Sequence, residues 1–319
     1  VNVAWAVFDN HKRGDHKPYV LKSSDGGQSW TMKVNGLPER GTAHTIIEDH
    51  VDPNLLFVGT EFGLFFSNDG GGNWHELSSL PTISERDLEI QRREGDLVVG
   101  TFGRGVYILD DYAPLRASSS ELEAGPLLFP IRDTWLFNPD ARRGWGGKGD
   151  FGTGRYAADN PPFGAVLAYH LPEALQSLKD QRREAEKKRA GEGEDNFYPS
   201  WDQLRREDRE EEPAIMLTIR DSAGNVVRRL SGPSGKGFHR VAWDMRYPAP
   251  DPVSLKPRNN MAPWESSPLG PMVLPGRYSV TLSKRVEGTL EDISAPQEFS
   301  LKPLFSGCLL YTSDAPTMH

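Results

Sequence analysis

Two short runs of one pattern, 44 residues apart, constrain this chain more than anything else in it: Ser23-Ser24-Asp25-Gly26-Gly27-Gln28-Ser29-Trp30 and Ser67-Asn68-Asp69-Gly70-Gly71-Gly72-Asn73-Trp74. Both read Ser-x-Asp-x-Gly-x-(Ser/Asn)-Trp, and each follows an apolar run, Tyr19-Val20-Leu21 or Leu64-Phe65-Phe66. An Asp accepting hydrogen bonds from nearby backbone N–H groups fixes a tight turn, and glycines supply the positive φ that such turns need. A Trp covers the turn with a large apolar ring while keeping an N–H to donate. Turn chemistry therefore accounts for Ser23, Asp25, Gly27, Trp30, Ser67, Asp69, Gly71 and Trp74 as structural residues rather than catalytic ones.

The repeat extends past the turn. Leu37-Pro38 recurs as Leu80-Pro81, and Val58-Gly59-Thr60 as Val99-Gly100-Thr101. Each unit reads as four short strands bounded by Gly, Asp, Asn or Pro. A β-rich repeat of this period is the signature of propeller blades. The third copy, Phe102 to Asp111, lacks the turn motif and reads as a terminal blade.

These residues resemble the Asp-box (BNR-repeat) β-propellers of the sortilin-like, glycosyl-hydrolase-like family found in large bacterial secreted proteins. The resemblance is carried by the two boxes, by Val58-Gly59-Thr60-Glu61-Phe62-Gly63-Leu64 and by Val99-Gly100-Thr101-Phe102-Gly103-Arg104-Gly105. Asn160-Pro161-Pro162-Phe163-Gly164-Ala165-Val166 and Trp243-Asp244-Met245-Arg246 extend it into the C-terminal half. It implies a secreted or periplasmic protein that binds a polysaccharide or peptide, or else a glycoside hydrolase. A scaffold role in a surface assembly is a third reading, since propellers host many functions.

A propeller needs roughly four to eight blades to close, and this chain holds about two and a half, so residues 1–116 read as a piece whose upstream blades are missing. Residues 117–160 read as a linker with a Gly-rich loop, Arg142 to Gly149. That loop lacks the Gly-Lys-Ser/Thr ending of a phosphate loop. Residues 161–303 alternate as strands of an Ig-like β-sandwich, interrupted at 172–212 by an insertion with 9 Lys/Arg and 13 Asp/Glu. Helix formers dominate that insertion, which reads as two solvated helices. The expected class is thus all-β: a partial propeller followed by an Ig-like sandwich with a helical insertion. The tail, 304–319, reads as an artefact, because Cys308 to Ala315 matches a translation of transposon-end sequencing adaptor DNA.

The net charge of −8 argues against a nucleic-acid footprint, which is normally basic. No run approaches the 18 or so apolar residues of a membrane span. No His/Cys/Asp cluster has metal-ligand spacing, no cofactor motif is present, and no Gly-x-Ser-x-Gly nucleophile turn occurs.

Strand alternation places the site. Connections between second and third strands share a face with those that lead into first strands, opposite the boxes. The candidates for ligand contact are therefore His44, Glu61, Phe62, Arg86 and Arg104, with His11, Asp15 and His16 on the long loop Asn10–Lys17. Glu61 could serve a glycosidase, whose chemistry needs a second carboxylate roughly 5–10 Å away. That partner could lie on a missing blade.

Overall fold

The computed structural model describes residues 2–137, 161–250, 268–286 and 288–304. The expected Gly-rich loop Arg142–Gly149 and all of the expected artefact tail beyond Leu304 lie outside them. The chain is mostly β and divides into two compact units, 1–123 and 124–319.

The first unit holds three antiparallel sheets. β1 (Ala4–Phe8), β2 (Tyr19–Ser23) and β3 (Thr31–Met32) form the first, and β4 (Ala43–Glu48), β5 (Leu56–Thr60), β6 (Gly63–Ser67) and β7 (His75–Glu76) the second. β8 (Glu85–Gln91), β9 (Asp96–Thr101) and β10 (Val106–Leu109) form the third, which has no fourth strand among the described residues. Each sheet is a meander in chain order. β1 lies beside β4, and β4 beside β8.

The middle sheet is buried on both faces, and strand alternation explains how. Leu55 and Phe57 join Leu88, Ile90, Leu97 and Val99 of the third sheet in one core. Leu56 and Val58 join Val20 of the first sheet and Trp74 in another. Each such fully buried side chain contributes about 1.5–3 kcal/mol. Gly59 lets the third sheet come close, since a Cβ there would stand 2.9 Å from the Glu85 Cβ.

Both boxes are hydrogen-bonded turns. Asp25 accepts from the Ser29 N–H at 2.9 Å, and Asp69 from the N–H groups of Gly72 and Asn73 at 2.7 and 2.9 Å. The donors stand three and four residues on, farther than a simple two-residue Asx turn would reach. Ser23 and Ser67 each donate to their Asp and accept from the N–H of Gly27 or Gly71.

The two tryptophans part company. Trp30 is half-exposed and donates to Gly27 O in its own turn. Trp74 is buried and donates across to Lys33 O.

Past β10 the chain ties back to the middle sheet. Buried Asp49 accepts from Tyr112 Oη at 2.6 Å and from Arg116 Nε at 2.7 Å. Ser118 and Glu121 then cap the short helix α1 (Ser119–Ala124) reciprocally, the N–H of each donating to the side chain of the other. The expected linker thus carries regular structure, and it continues into two strands of the second unit.

That unit has two sheets. β11 (Leu127–Leu128), β13 (Ala165–Leu171) and β16 (Gly237–Trp243) make a three-stranded one. The other is six-stranded, in the order β12 (Thr134–Leu136), β19 (Gln297–Pro303), β17 (Gly276–Val286), β14 (Ala214–Asp221), β15 (Val226–Gly232), with β18 (Thr289–Asp292) also paired to β17. Leu167, Tyr169 and Trp243 of the small sheet share one core with Leu217, Val280, Leu282 and Phe299 of the large one.

The insertion forms α2 (Leu178–Gly191) and α3 (Trp201–Arg209), capped by Ser177 and Ser200. Neither buries a residue. The Arg182 guanidinium joins them by a two-pronged bond to Glu207, 2.7 and 2.8 Å.

Candidate functional site

Antiparallel alternation puts the box turns at one end of the three sheets. At the other end lie the β1–β2, β5–β6 and β9–β10 connections and the segments entering β4 and β8. An open cleft of about 630 Å³ lies at this second end, lined from three successive connections and both inner strands: Asp9, His11 and His16; Arg40, Gly41 and Thr42; His44; Glu61 and Phe62; and Arg86.

Two β-bulges aim its central side chains. The β4–β5 register slips between Ala43 and Thr45, and the β8–β9 register slips between Glu85 and Asp87. His44 and Arg86 are therefore the extra residues at the same place in adjacent sheets, released from the ladder and turned toward its end.

They meet on Glu61. His44 Nε2 lies 2.8 Å from Glu61 Oε2, Ser84 Oγ donates to the same oxygen at 3.1 Å, and Arg86 reaches it at 3.4 Å. A second Arg86 nitrogen stands 3.4 Å from His44 Nδ1. With Arg86 as the donor there, Nδ1 accepts and the His44 proton sits on Nε2, pointed at Glu61. The Arg86 guanidinium also lies over the Phe102 ring, 5.4 Å from its centroid.

Burial pushes the Glu61 carboxyl upward, but the His44 and Ser84 hydrogen bonds and the nearby Arg86 charge outweigh it and hold the group below its usual range. Asp9 is lowered too, chiefly by the backbone N–H of His11 and then by that residue's ring, 2.6 Å away. Both carboxylates are ionised and already engaged. Beneath them Glu85 is fully buried, and burial alone pushes its carboxyl up to about 7.

The structure thus gathers His44, Glu61, Phe62 and Arg86 in one cleft, with His11 and His16 on its rim. Phe62 is half-exposed there. Asp15 faces an adjoining hollow, accepting from Tyr19 Oη and Asn10 Nδ2. Arg104 is exposed on the β9–β10 turn and joins none of these contacts. Sequence reasoning missed Asp9 and passed over Arg40. The signal for Asp9 was the repeat itself, since Asp9, Glu61 and Phe102 each follow the last residue of the strand that leads into a connection at this end, β1, β5 and β9.

Among the described residues no group of three His, Cys, Asp or Glu is placed to hold a metal ion. No described helix is long and apolar enough to cross a membrane. No family model matches the chain, and no curated protein matches it. Among solved structures, the extracellular domain of a putative hybrid two-component system from B. thetaiotaomicron is similar over 90% of this chain, at 8% identity and a TM-score of 0.26. The match spans 29% of that neighbour's length.

Proposed function

We propose that residues 1–116 are blades of an Asp-box β-propeller in a secreted or periplasmic protein, that 161–303 form an Ig-like sandwich, and that the cleft opposite the boxes binds a carbohydrate or peptide. The reading of blades rests on the repeated meander, on inner strands lying side by side, and on the two hydrogen-bonded boxes. Further blades of the same kind would cover the open faces of the first and third sheets. The localisation rests on the likeness of the boxes to those of secreted bacterial propellers.

The observation that carries binding is the convergence of three successive connections and two bulged residues on one open cleft. Retaining and inverting hydrolysis both need a carboxylic acid that holds its proton near neutral pH. Asp9 and Glu61 are both held ionised, and Glu85, which would hold one, is sealed from the cleft. Among the described residues, then, the cleft offers groups for binding and no acid of that kind.

A glycan and peptide array probed with the 319-residue protein tests this. Arg86→Ala should weaken a hit at least tenfold with an unchanged melting temperature, since its side chain is 44% exposed and such exposed pairs contribute about 0–1 kcal/mol. A hit that Arg86→Ala leaves intact, or no hit at all, would sink the proposal.

A further inference from the structure

We propose that the leading end of β8 is a pH-operated gate in the wall of the cleft, closed while Glu85 is protonated and opened when that carboxyl ionises. The inference goes beyond the binding reading and does not depend on it.

Glu85 lies in the seam between the second and third sheets, so close to the former that a Cβ on Gly59 would stand 2.9 Å from its own Cβ. It is fully buried, and neither carboxyl oxygen has a hydrogen-bond partner among the described residues. β4, β5 and β9 pack against its strand. β5 carries no titratable residue. β9 brings Asp96, paired with Gln91 at the far end of the ladder. β4 brings Glu48 at its far end and His44, whose Nε2 is turned to Glu61. On β8 itself Arg86 reaches Glu61, while Asp87 and Glu89 are exposed. Burial alone acts on the Glu85 carboxyl, and none of these charges offsets it.

A neutral carboxyl can stay in such a seam, but an ionised one without a partner is strongly disfavoured there. Water reaches it only if one wall moves. The strand end is the wall held least firmly. Beside Glu85 the ladder is interrupted by the bulge at Arg86, and beyond it the pairing runs to Glu85 opposite Thr101 and to the Phe102 N–H, which donates to Ser84 O at 2.9 Å. A short ladder end next to a bulge opens at lower free energy than the middle of a sheet.

Opening reaches the cleft directly, because Glu85 stands between two residues that serve it. Ser84 and Arg86 both donate to Glu61 Oε2. A displaced strand end therefore withdraws two of the three side chains that hold Glu61 and leaves His44.

The direction follows from linkage. Opening exposes the carboxyl to water, where it ionises near its ordinary value of about 4.3, whereas burial lifts it to about 7 in the closed form. Below the first value the gate is fully closed. Between the two, opening grows about tenfold per pH unit, and above the second it levels off.

Amide hydrogen exchange of the 319-residue protein, followed by NMR from pH 5 to pH 8 and corrected for intrinsic exchange chemistry, tests the gate. Protection of the Phe102 N–H should fall about tenfold per pH unit until about pH 7 and then level. It should also stay at least tenfold below that of Val58 and Leu97, in the middle strands of their sheets, and ignore low urea, because a local opening exposes little surface. Glu85→Gln should flatten the pH profile, and so should Glu85→Met, a second variant should the first not fold.

A flat profile in the parent, or a slope that persists in the variants, would take Glu85 out of the gate and overturn the proposal. Equal protection and equal urea dependence at Phe102, Val58 and Leu97 would mean that Glu85 ionises only when the whole unit unfolds, which would overturn it as well.

Discussion

Two buried carboxyl groups in the first unit are treated oppositely by their surroundings. Glu85 is wholly buried without a hydrogen-bond partner among the described residues, and burial lifts it to about 7. A folded value above the unfolded one of about 4.3 means that the neutral form's stability is complete below that pH and is lost as pH rises through about 7. Glu85→Gln should therefore be more stable than the parent at pH 8, by up to about 3 kcal/mol, and no more stable at pH 4. Urea melts at the two pH values check this, and a pH-independent difference would refute it. Asp49 is also buried, and burial pushes it up, yet its bonds from Arg116 and Tyr112 outweigh that and hold it well below the usual carboxylate range. Its contribution is complete above an unfolded value of about 3.9 and is lost as pH falls below it. Asp49→Asn should cost about 2–4 kcal/mol at pH 7, because the partly buried Arg116 loses its fully buried anionic partner, and progressively less as the pH is taken down toward 2. Denaturant titrations across that range measure the difference.

At the scale of the element, the two boxes share a sequence but not an energetic role. Trp74→Ala should cost about 3–5 kcal/mol, since the ring fills the space between first and second sheets. Trp30→Ala should cost under about 1 kcal/mol, because its ring lies half in solvent over its own turn. Equal losses in thermal melts would contradict this division. Gly71 belongs to the same contact, for its φ is +81° and a Cβ would stand 2.5 Å from the Trp5 ring. Both the turn at Asp69 and its strand neighbours could be read from residue types, because local hydrogen bonds and period-2 burial are written in adjacent positions. The partner of each Trp could not, because it depends on where the next sheet stands. The same limit explains Asp9, whose place in one cleft with Glu61 comes from alignment of sheets far apart in sequence. Ser118–Glu121 was a legible capping pattern, obscured by the serines around it. Arg104 fits the face expected of it, but its turn carries it clear of the cluster that Arg86 joins.

On the scale of the whole molecule, the first unit shows apolar side chains on both of its outer sheets. Phe8, Met32 and Trp30 are exposed on the first, and Val106 and Ile108 on the third, where β10 also lacks a neighbour on one edge among the described residues. Residues 1–123 made alone should therefore self-associate at micromolar concentration, whereas residues 124–304, whose two sheets share a single core, should unfold cooperatively as a monomer. Sedimentation and melting of the separate pieces decide this, and a stable monomer of 1–123 would count against it. The twin bulges carry a consequence of another kind. A residue extruded from the ladder owes the sheet no hydrogen bond, so exchanging His44 or Arg86 for another side chain leaves the strand pairing untouched. Each of these two sheets thereby owns one interchangeable letter at the mouth of the cleft, and a new ligand alphabet can be spelled there without rewriting the scaffold beneath.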